Sequence, residues 1–441
     1  MKRIIGKLGL LCSAMLLALL LTGCLDSSVE DLMTLPQLPI QYTELSRQID
    51  EMIKDGYEYA SPLTGRNIQS VQMVDLDGDG YDEALAFFRQ PSDEKQLKIF
   101  VFHRTEDSYA QLCTIESAGT GIDSVDYCDV TGDGKMELIV GWKISTDVQT
   151  VTVYSLQEEP TVLMRSGYTH FSIEDLDGNG IPSLLILRAD SEGKSIAEFY
   201  SWHEEAMSVV YHCALSSTMA ELSRGSIVSG RLTDNGTLGV FVTGVNNQGK
   251  AVTDILAYQD ELGLVNVALD ASTGQSKLVY GYRQISPQDI NGDGQIELPE
   301  PAADSGETNQ AGSVISWHHY YDNDYGEWEM EWEEDTYHCP NGGWYFELPN
   351  DWRGRTGGAV MESIGNENCV VLQVDGKNVI AFYSILGEQR DPRSFWGNRM
   401  ILEQQTAVTY AAELLPDASR YGMNEEILRQ HFHLITNFWQ S

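Results

Sequence analysis

Asp75-Leu76-Asp77-Gly78-Asp79-Gly80-Tyr81-Asp82-Glu83 is the stretch whose reading decides the fold. It sets carboxylates at positions one, three, five and nine of a nine-residue turn. Hard cations such as calcium take about six to eight oxygen ligands, and aspartates alternating around a glycine turn supply them. Gly78 and Gly80 can adopt positive φ, so the side chains can fold inward round one point. The carbonyl of Tyr81 is a further candidate oxygen at position seven. Downstream, Glu83-Ala84-Leu85-Ala86-Phe87-Phe88 reads as a buried strand. A helix-flanked calcium loop would continue into a helix instead.

The pattern recurs. Asp129-Val130-Thr131-Gly132-Asp133-Gly134-Lys135-Met136-Glu137 leads into Leu138-Ile139-Val140, and Asp175-Leu176-Asp177-Gly178-Asn179-Gly180-Ile181-Pro182-Ser183 leads into Leu184-Leu185-Ile186-Leu187. Arg231-Leu232-Thr233-Asp234-Asn235-Gly236 is a worn fourth copy before Val240-Phe241-Val242, and Asp289-Ile290-Asn291-Gly292-Asp293-Gly294-Gln295-Ile296-Glu297 is the fifth. Measured at the shared second glycine (80, 134, 180, 236, 294), the spacings are 54, 46, 56 and 58 residues. A period of this length signals a stacked or radial repeat. Asp and Gly favour turns without any metal. That explains one copy easily, but not a Glu held at position nine in three copies.

Each copy also carries strands: a short one before the loop (68–74, 168–173) and a second directly after it. A third ends in an aromatic or apolar stretch (98–103, 150–154, 197–202, 253–258, 314–321). A fourth follows a polar turn (110–115, 161–165, 208–215, 264–269, 328–332). Four antiparallel strands in ~50 residues make one β-propeller blade. The expectation is a mainly β fold, a propeller of about five four-stranded blades with every loop on one rim, followed by a smaller α+β domain.

The Asp-x-Asp-Gly-Asp-Gly-x-x-Glu loops, each flanked by strands, resemble FG-GAP or VCBS-type repeats, the calcium-loop propellers of integrin heads and many bacterial surface proteins. The resemblance covers residues 63–338, full in copies one, two and five, partial in copy three and faint in copy four. It implies metal ligands at Asp75, Asp77, Asp79 and Glu83; at Asp129, Thr131, Asp133 and Glu137; and at Asp289, Asn291, Asp293 and Glu297. Copy three keeps Asp175, Asp177 and Asn179 but has Ser183 in the last place, so it implies a partial site. In copy four Arg231 replaces the first Asp and would supply its own cation, and no metal is expected there. Calcium is the implied cofactor, with three full sites and a fourth partial one.

Residues 1–23 read as a targeting segment. Lys2, Arg3 and Lys7 precede an apolar run from Leu8 to Leu21, and Leu21-Thr22-Gly23-Cys24 resembles a bacterial lipobox. Cleavage before Cys24 and lipidation of that cysteine would anchor the chain to the membrane, facing outward. An uncleaved anchor or a plain secretory signal would still export it. The leader carries three basic and no acidic residues, so its removal takes the net charge from −38 to −41. A chain this acidic makes nucleic acid and anionic head groups poor partners. Five cysteines follow Cys24 (Cys113, Cys128, Cys213, Cys339 and Cys369), an odd number without the spacing of a disulfide framework. Buried thiols are expected, with Cys113–Cys128 as the alternative pair.

Residues 24–62 comprise a tether and a short amphipathic helix on which Tyr42, Leu45, Ile49, Met52 and Ile53 share a face, ended by Gly56. After Cys339-Pro340-Asn341-Gly342-Gly343 the period stops. Residues 339–441 are expected as a separate α+β domain, with a strand at 344–349, a hairpin about Asp375-Gly376, and a final helix capped by Asn424 whose Ile427, His431, Leu434, Ile435 and Phe438 share a face. Trp317-His318-His319-Tyr320-Tyr321, with Trp328 and Trp332, could be a stacking surface for a sugar or peptide. Alternation of Trp328, Met330 and Trp332 with glutamates favours strand core instead.

Enzyme signatures are missing: His203-Glu204-Glu205-Ala206-Met207 lacks a second histidine, and no nucleophile-elbow serine or phosphate loop is present. The reading is a lipid-anchored, calcium-binding surface protein that acts as a binding module for an unknown protein or glycan ligand. The alternative is a polysaccharide-degrading enzyme with its site in the propeller funnel.

Overall fold

A strand that is apolar at every position must bury both of its faces. The second strand of each of the first four repeats does so in a computed structural model of the protein, which describes residues 40–435 apart from 106–107, 157–158, 204, 282–283, 303–311, 323–327, 362–365 and 389. Glu83–Arg89 sends Leu85 and Phe87 into one core and Ala84, Ala86 and Phe88 into another. In Glu137–Lys143, Leu138, Val140 and Trp142 join Leu85 and Phe87, whereas Ile139 turns to the next core. Leu184 and Ile186 of Ser183–Ala189 share that core with Ile139, while Leu185 and Leu187 face Val240 and Val242 of Leu238–Val245. Phe241 then packs with Ile296, Leu298 and Tyr320. The first five sheets therefore stand face to face in chain order, with a shared core at each junction.

The protein is mainly β, built from antiparallel sheets of four or five strands. The second sheet runs Gly121–Cys128, Glu137–Lys143, Gln149–Ser155, Thr161–Tyr168, and the third His170–Glu174, Ser183–Ala189, Ser195–His203, Ala206–Ala214. The first and fourth keep the same four-strand plan around Glu83–Arg89 and Leu238–Val245 and add one short strand each, Glu58–Tyr59 and Leu278–Gly281. In the fifth copy the strand before the loop shrinks to a single bridge, Gln288 to Glu297. The N-terminal helix Ile40–Lys54 covers the outer face of the first sheet, with Leu45 and Ile49 against Phe88, Phe100 and Phe102. Ile53, expected on that apolar face, is exposed.

The fifth sheet does not stop at the division drawn at 338/339. That division falls inside the strand Trp328–Cys339, which pairs with Trp344–Glu347, which in turn pairs with Phe432–Leu434. The expected long terminal helix is only Glu425–Gln430; Asn424 caps it, accepting from Ile427 N at 3.0 Å. Leu434 belongs to the edge strand rather than to a helical face, and Phe438 lies outside the described residues. Most of the remainder is a sixth sheet in the order Thr356–Met361, Glu367–Val374, Lys377–Leu386, Val408–Leu414, Met400–Gln404. Trp344, Phe346 and Tyr337 of the fifth sheet share one core with Leu372, Phe382 and Tyr410 of the sixth. Among the described residues no core cluster joins the first sheet to the sixth.

All five cysteines after Cys24 are free thiols, and Cys113 and Cys128 are not bonded to each other. Burial pushes the Cys113 and Cys128 thiols up to about 11. Cys24 and the leader lie outside the described residues. Among the described residues no helix is long and apolar enough to cross a membrane.

Candidate metal centres

Each loop is framed by its own aspartates. In loop one, Asp75 accepts from Gly78 N at 2.9 Å and Gly80 N at 3.0 Å. Asp129 repeats this with Gly132 N at 2.6 Å and Gly134 N at 2.8 Å, and Asp289 with Gly292 N at 2.7 Å and Gly294 N at 2.9 Å. Asp175 keeps the bond from Gly180 N at 3.0 Å. Position five takes the amide of position seven: Tyr81 N to Asp79, Lys135 N to Asp133, Ile181 N to Asn179, Gln295 N to Asp293, all between 2.7 and 2.9 Å. This frame needs the left-handed backbone that glycine supplies, with φ of 75° and 87° at Gly78 and Gly80 and 81° and 89° at Gly292 and Gly294.

Position nine closes the loop from the second strand. Glu83, Glu137 and Glu297 are all buried, and each accepts the amide of position two: Leu76 N at 2.9 Å, Val130 N at 3.1 Å and Ile290 N at 2.8 Å. The glutamate therefore ties the loop's entry to its exit. Position two itself was missed in the sequence. Leu76, Val130, Leu176, Leu232 and Ile290 are all buried, and the first four each plug the core shared with the following sheet. The signal was there: an apolar residue follows position one in every copy.

The donor sets differ. In loop one, Asp75, Asp77 and Glu83 each offer an oxygen within 4.8 Å of the others, as do Asp289, Asp293 and Glu297 in loop five. Asp79 lies outside the first grouping, and Asp129, Asp133 and Glu137 do not converge to that limit. Loops one and five thus fit a hard divalent cation, with oxygen-only donors already gathered. In loop three, the Oγ of Ser183 and Oδ1 of Asp175 are buried without a hydrogen-bond partner among the described residues. Serine is too short to replace the glutamate, and it leaves polar atoms facing an unfilled role. In loop four, Asn235 satisfies the turn itself, accepting from Thr237 N at 3.1 Å and from the hydroxyls of Thr233 and Thr237.

The loops lie side by side. Met136 N of loop two donates to Leu76 O of loop one at 2.8 Å. A Cβ at Gly132 would come within 2.7 Å of Ile181 Cδ1, so loops two and three touch. Ile296 N of loop five donates to Arg231 O of loop four at 2.9 Å.

Crowded acids carry a protonation signature. Burial, then the neighbouring aspartates, pushes the Glu297 carboxyl up to about 8 and that of Glu137 up to about 7; the Glu83 carboxyl is also raised, chiefly by burial. The bond from the position-two amide pulls the other way. A carboxyl raised in the native state holds a proton that the unfolded chain has released, so stability from this group falls as pH rises. For Glu297 the window is about pH 4.5 to 8. In chelator, the wild type should lose melting temperature relative to Glu297→Gln across that window. With calcium the trend should flatten, because the ion replaces the proton. A gap between the two proteins that stays constant with pH would contradict this.

The aromatic cluster splits as the strand reading expects. Trp317 is buried, and its Nε1 donates to Thr336 at 2.7 Å. His318 and His319 face opposite ways, towards Glu300 at 3.7 Å and Glu333 at 2.9 Å. Met330 does not follow the expected alternation and is exposed, while Trp332 lies under the Arg353 guanidinium at 4.0 Å. Glu333 was also missed: it accepts from Asn291 Nδ2 at 3.4 Å and so flanks loop five from a strand some forty residues away. Nothing near either residue in sequence announces that pairing, which depends on strand register.

No protein-family model and no curated protein matches the chain. Solved structures with some likeness include a europium-containing methanol dehydrogenase, at 8% identity and a TM-score of 0.19, covering 77% of this chain and 91% of that one. Another is MPT-1, a GDP-Man-dependent mannosyltransferase from Leishmania mexicana, at 9% identity and a TM-score of 0.14, covering 77% of this chain and 92% of that one. Similarity at this level carries no argument about fold or activity, so the reading of this chain rests on its own loops and sheets.

Proposed function

We propose that this is an exported bacterial protein, lipid-anchored through Cys24, whose sheets are blades of an FG-GAP/VCBS-type propeller with calcium in the rim loops. It acts as a surface module that binds a protein or glycan ligand. The observation that carries the reading is recurrence: four of the five loops share one aspartate–glycine hydrogen-bond frame, and two of them gather three carboxylates within 4.8 Å. A turn needs no such convergence of like charges, which costs energy unless a cation neutralises it. Calcium supplies that charge and draws the loop oxygens together. The protein's own part is to hold Asp75, Asp77 and Glu83, or Asp289, Asp293 and Glu297, in place from strands on both sides of the loop.

Glycan and peptide arrays probed with the purified protein, with and without calcium, test the binding role. Calcium-dependent retention that weakens in Asp75→Ala supports it. Turnover of a polysaccharide, abolished by changing a single carboxylate, would replace it with the enzyme reading. The anchor has its own test. Cys24→Ala should abolish incorporation of labelled fatty acid and release the protein from the membrane fraction, because stable attachment takes two or more acyl chains. Label persisting on that variant would remove the anchor from the proposal.

A further inference from the structure

Arg231 stands where loop four should have its first aspartate, yet its guanidinium serves loop five. Nη2 donates to Asp293 O at 2.7 Å and lies 3.6 Å from Asp293 Oδ1. Two bonds hold the loops in this register: Ile296 N to Arg231 O and Gln295 Nε2 to Leu232 O, both 2.9 Å. The Arg231 side chain is only about one-third exposed, at 36%. Its charge is thus fixed beside the acids that would receive a metal. Loops one and two meet differently, through the backbone bond from Met136 N to Leu76 O.

We propose that Arg231 is a resident cation for loop five: it holds that loop closed without metal and makes it a weaker calcium site than loop one, the other loop whose three carboxylates are already gathered. This rests on the calcium reading above. A fixed positive charge a few ångströms from Asp293 offsets part of that carboxylate's repulsion of its neighbours, so the loop is less driven to open even with Glu333 on its other side. The same charge repels an incoming divalent ion. For a part-exposed group in water-like dielectric, the penalty corresponds to about a ten-fold loss of affinity. Loop five should therefore fill after loop one as calcium rises and empty before it as calcium falls.

Native mass spectrometry across a calcium titration, with calorimetry alongside, reads each binding step in the wild type, Asp75→Ala, Asp289→Ala, Arg231→Met and Arg231→Lys. In the wild type the step missing from Asp289→Ala should fill after the step missing from Asp75→Ala. Arg231→Met should tighten the loop-five step about ten-fold, and Arg231→Lys, which keeps the charge, should leave it nearly unmoved. An unmoved or weakened loop-five step in Arg231→Met, with the other steps intact, overturns the role of Arg231. A wild type that binds no calcium overturns the calcium reading and this inference together. Hydrogen exchange on the wild type in chelator needs no variant to fold: the amides of Gly292 and Gly294 should exchange more slowly than those of Gly78 and Gly80. Equal rates would also overturn the proposal.

Discussion

Chelation should lower the melting temperature of this protein by several degrees, and millimolar calcium should restore it. Binding to the native state stabilises by RT ln(1 + [L]/Kd), roughly 2.7 kcal/mol per site at about 100-fold saturation. For a chain of this size, that is on the order of 3 °C per site. The physical cause is local. Asp75, Asp77 and Glu83 lie within 4.8 Å of one another, and Glu83 pins the amide of Leu76 to the second strand. Without a cation the acids push that pin apart; with one they hold it. Asp75→Ala and Asp289→Ala should each remove one site's share of the calcium response. Asn235→Ala in loop four should change the response little, since that loop is satisfied by its own threonines. Magnesium should substitute poorly, because it demands a tighter octahedron and keeps its waters. Identical melting curves in chelator and calcium, with no bound metal, would reduce the loops to turns.

Trp344→Ala should cost about 3–5 kcal/mol, the range for emptying a buried tryptophan site. Trp344 is 2% exposed, and its ring lies 4.5 Å from that of Phe382 and 6.1 Å from that of Tyr337. It bridges the fifth and sixth sheets, so the damage should cross the 338/339 division. Hydrogen exchange should rise in Ser313–Asp322 and Trp328–Cys339 as well as in Glu367–Val374 and Lys377–Leu386. Loss of protection confined to residues 344–435 would instead mark that segment as an independent folding unit.

The loops and the strands that follow them were legible in the sequence because their requirements are local. A glycine at positive φ, an aspartate within reach of its own backbone, and a strand apolar at every position all leave marks within a few residues. The C-terminal region was read less well. Ile427, His431 and Leu434 recur at helical spacing, but Phe432, His433 and Leu434 can equally form a strand. The free edge of Trp344–Glu347 settles the matter by offering backbone partners. The sixth sheet has no aspartate–glycine loop, and its order places Val408–Leu414 between Lys377–Leu386 and Met400–Gln404, so no repeat betrays it. Arg231 and Glu333 reach loop five from about sixty and forty residues away, and only the packed register brings them there.

Every junction between successive sheets from the first to the fifth is filled by a shared core, and the N-terminal helix occupies the outer face of the first. Such a row has a short correlation length: a disturbance is handed from neighbour to neighbour and fades with distance. On the calcium reading, an ion leaving loop one would be felt at loop two through the bond from Met136 N to Leu76 O, and scarcely at loop five. The ions should therefore come and go with little cooperativity, each at its own threshold. If calcium binds as proposed, the row of loops would then respond to it as a graded scale and not as a single switch.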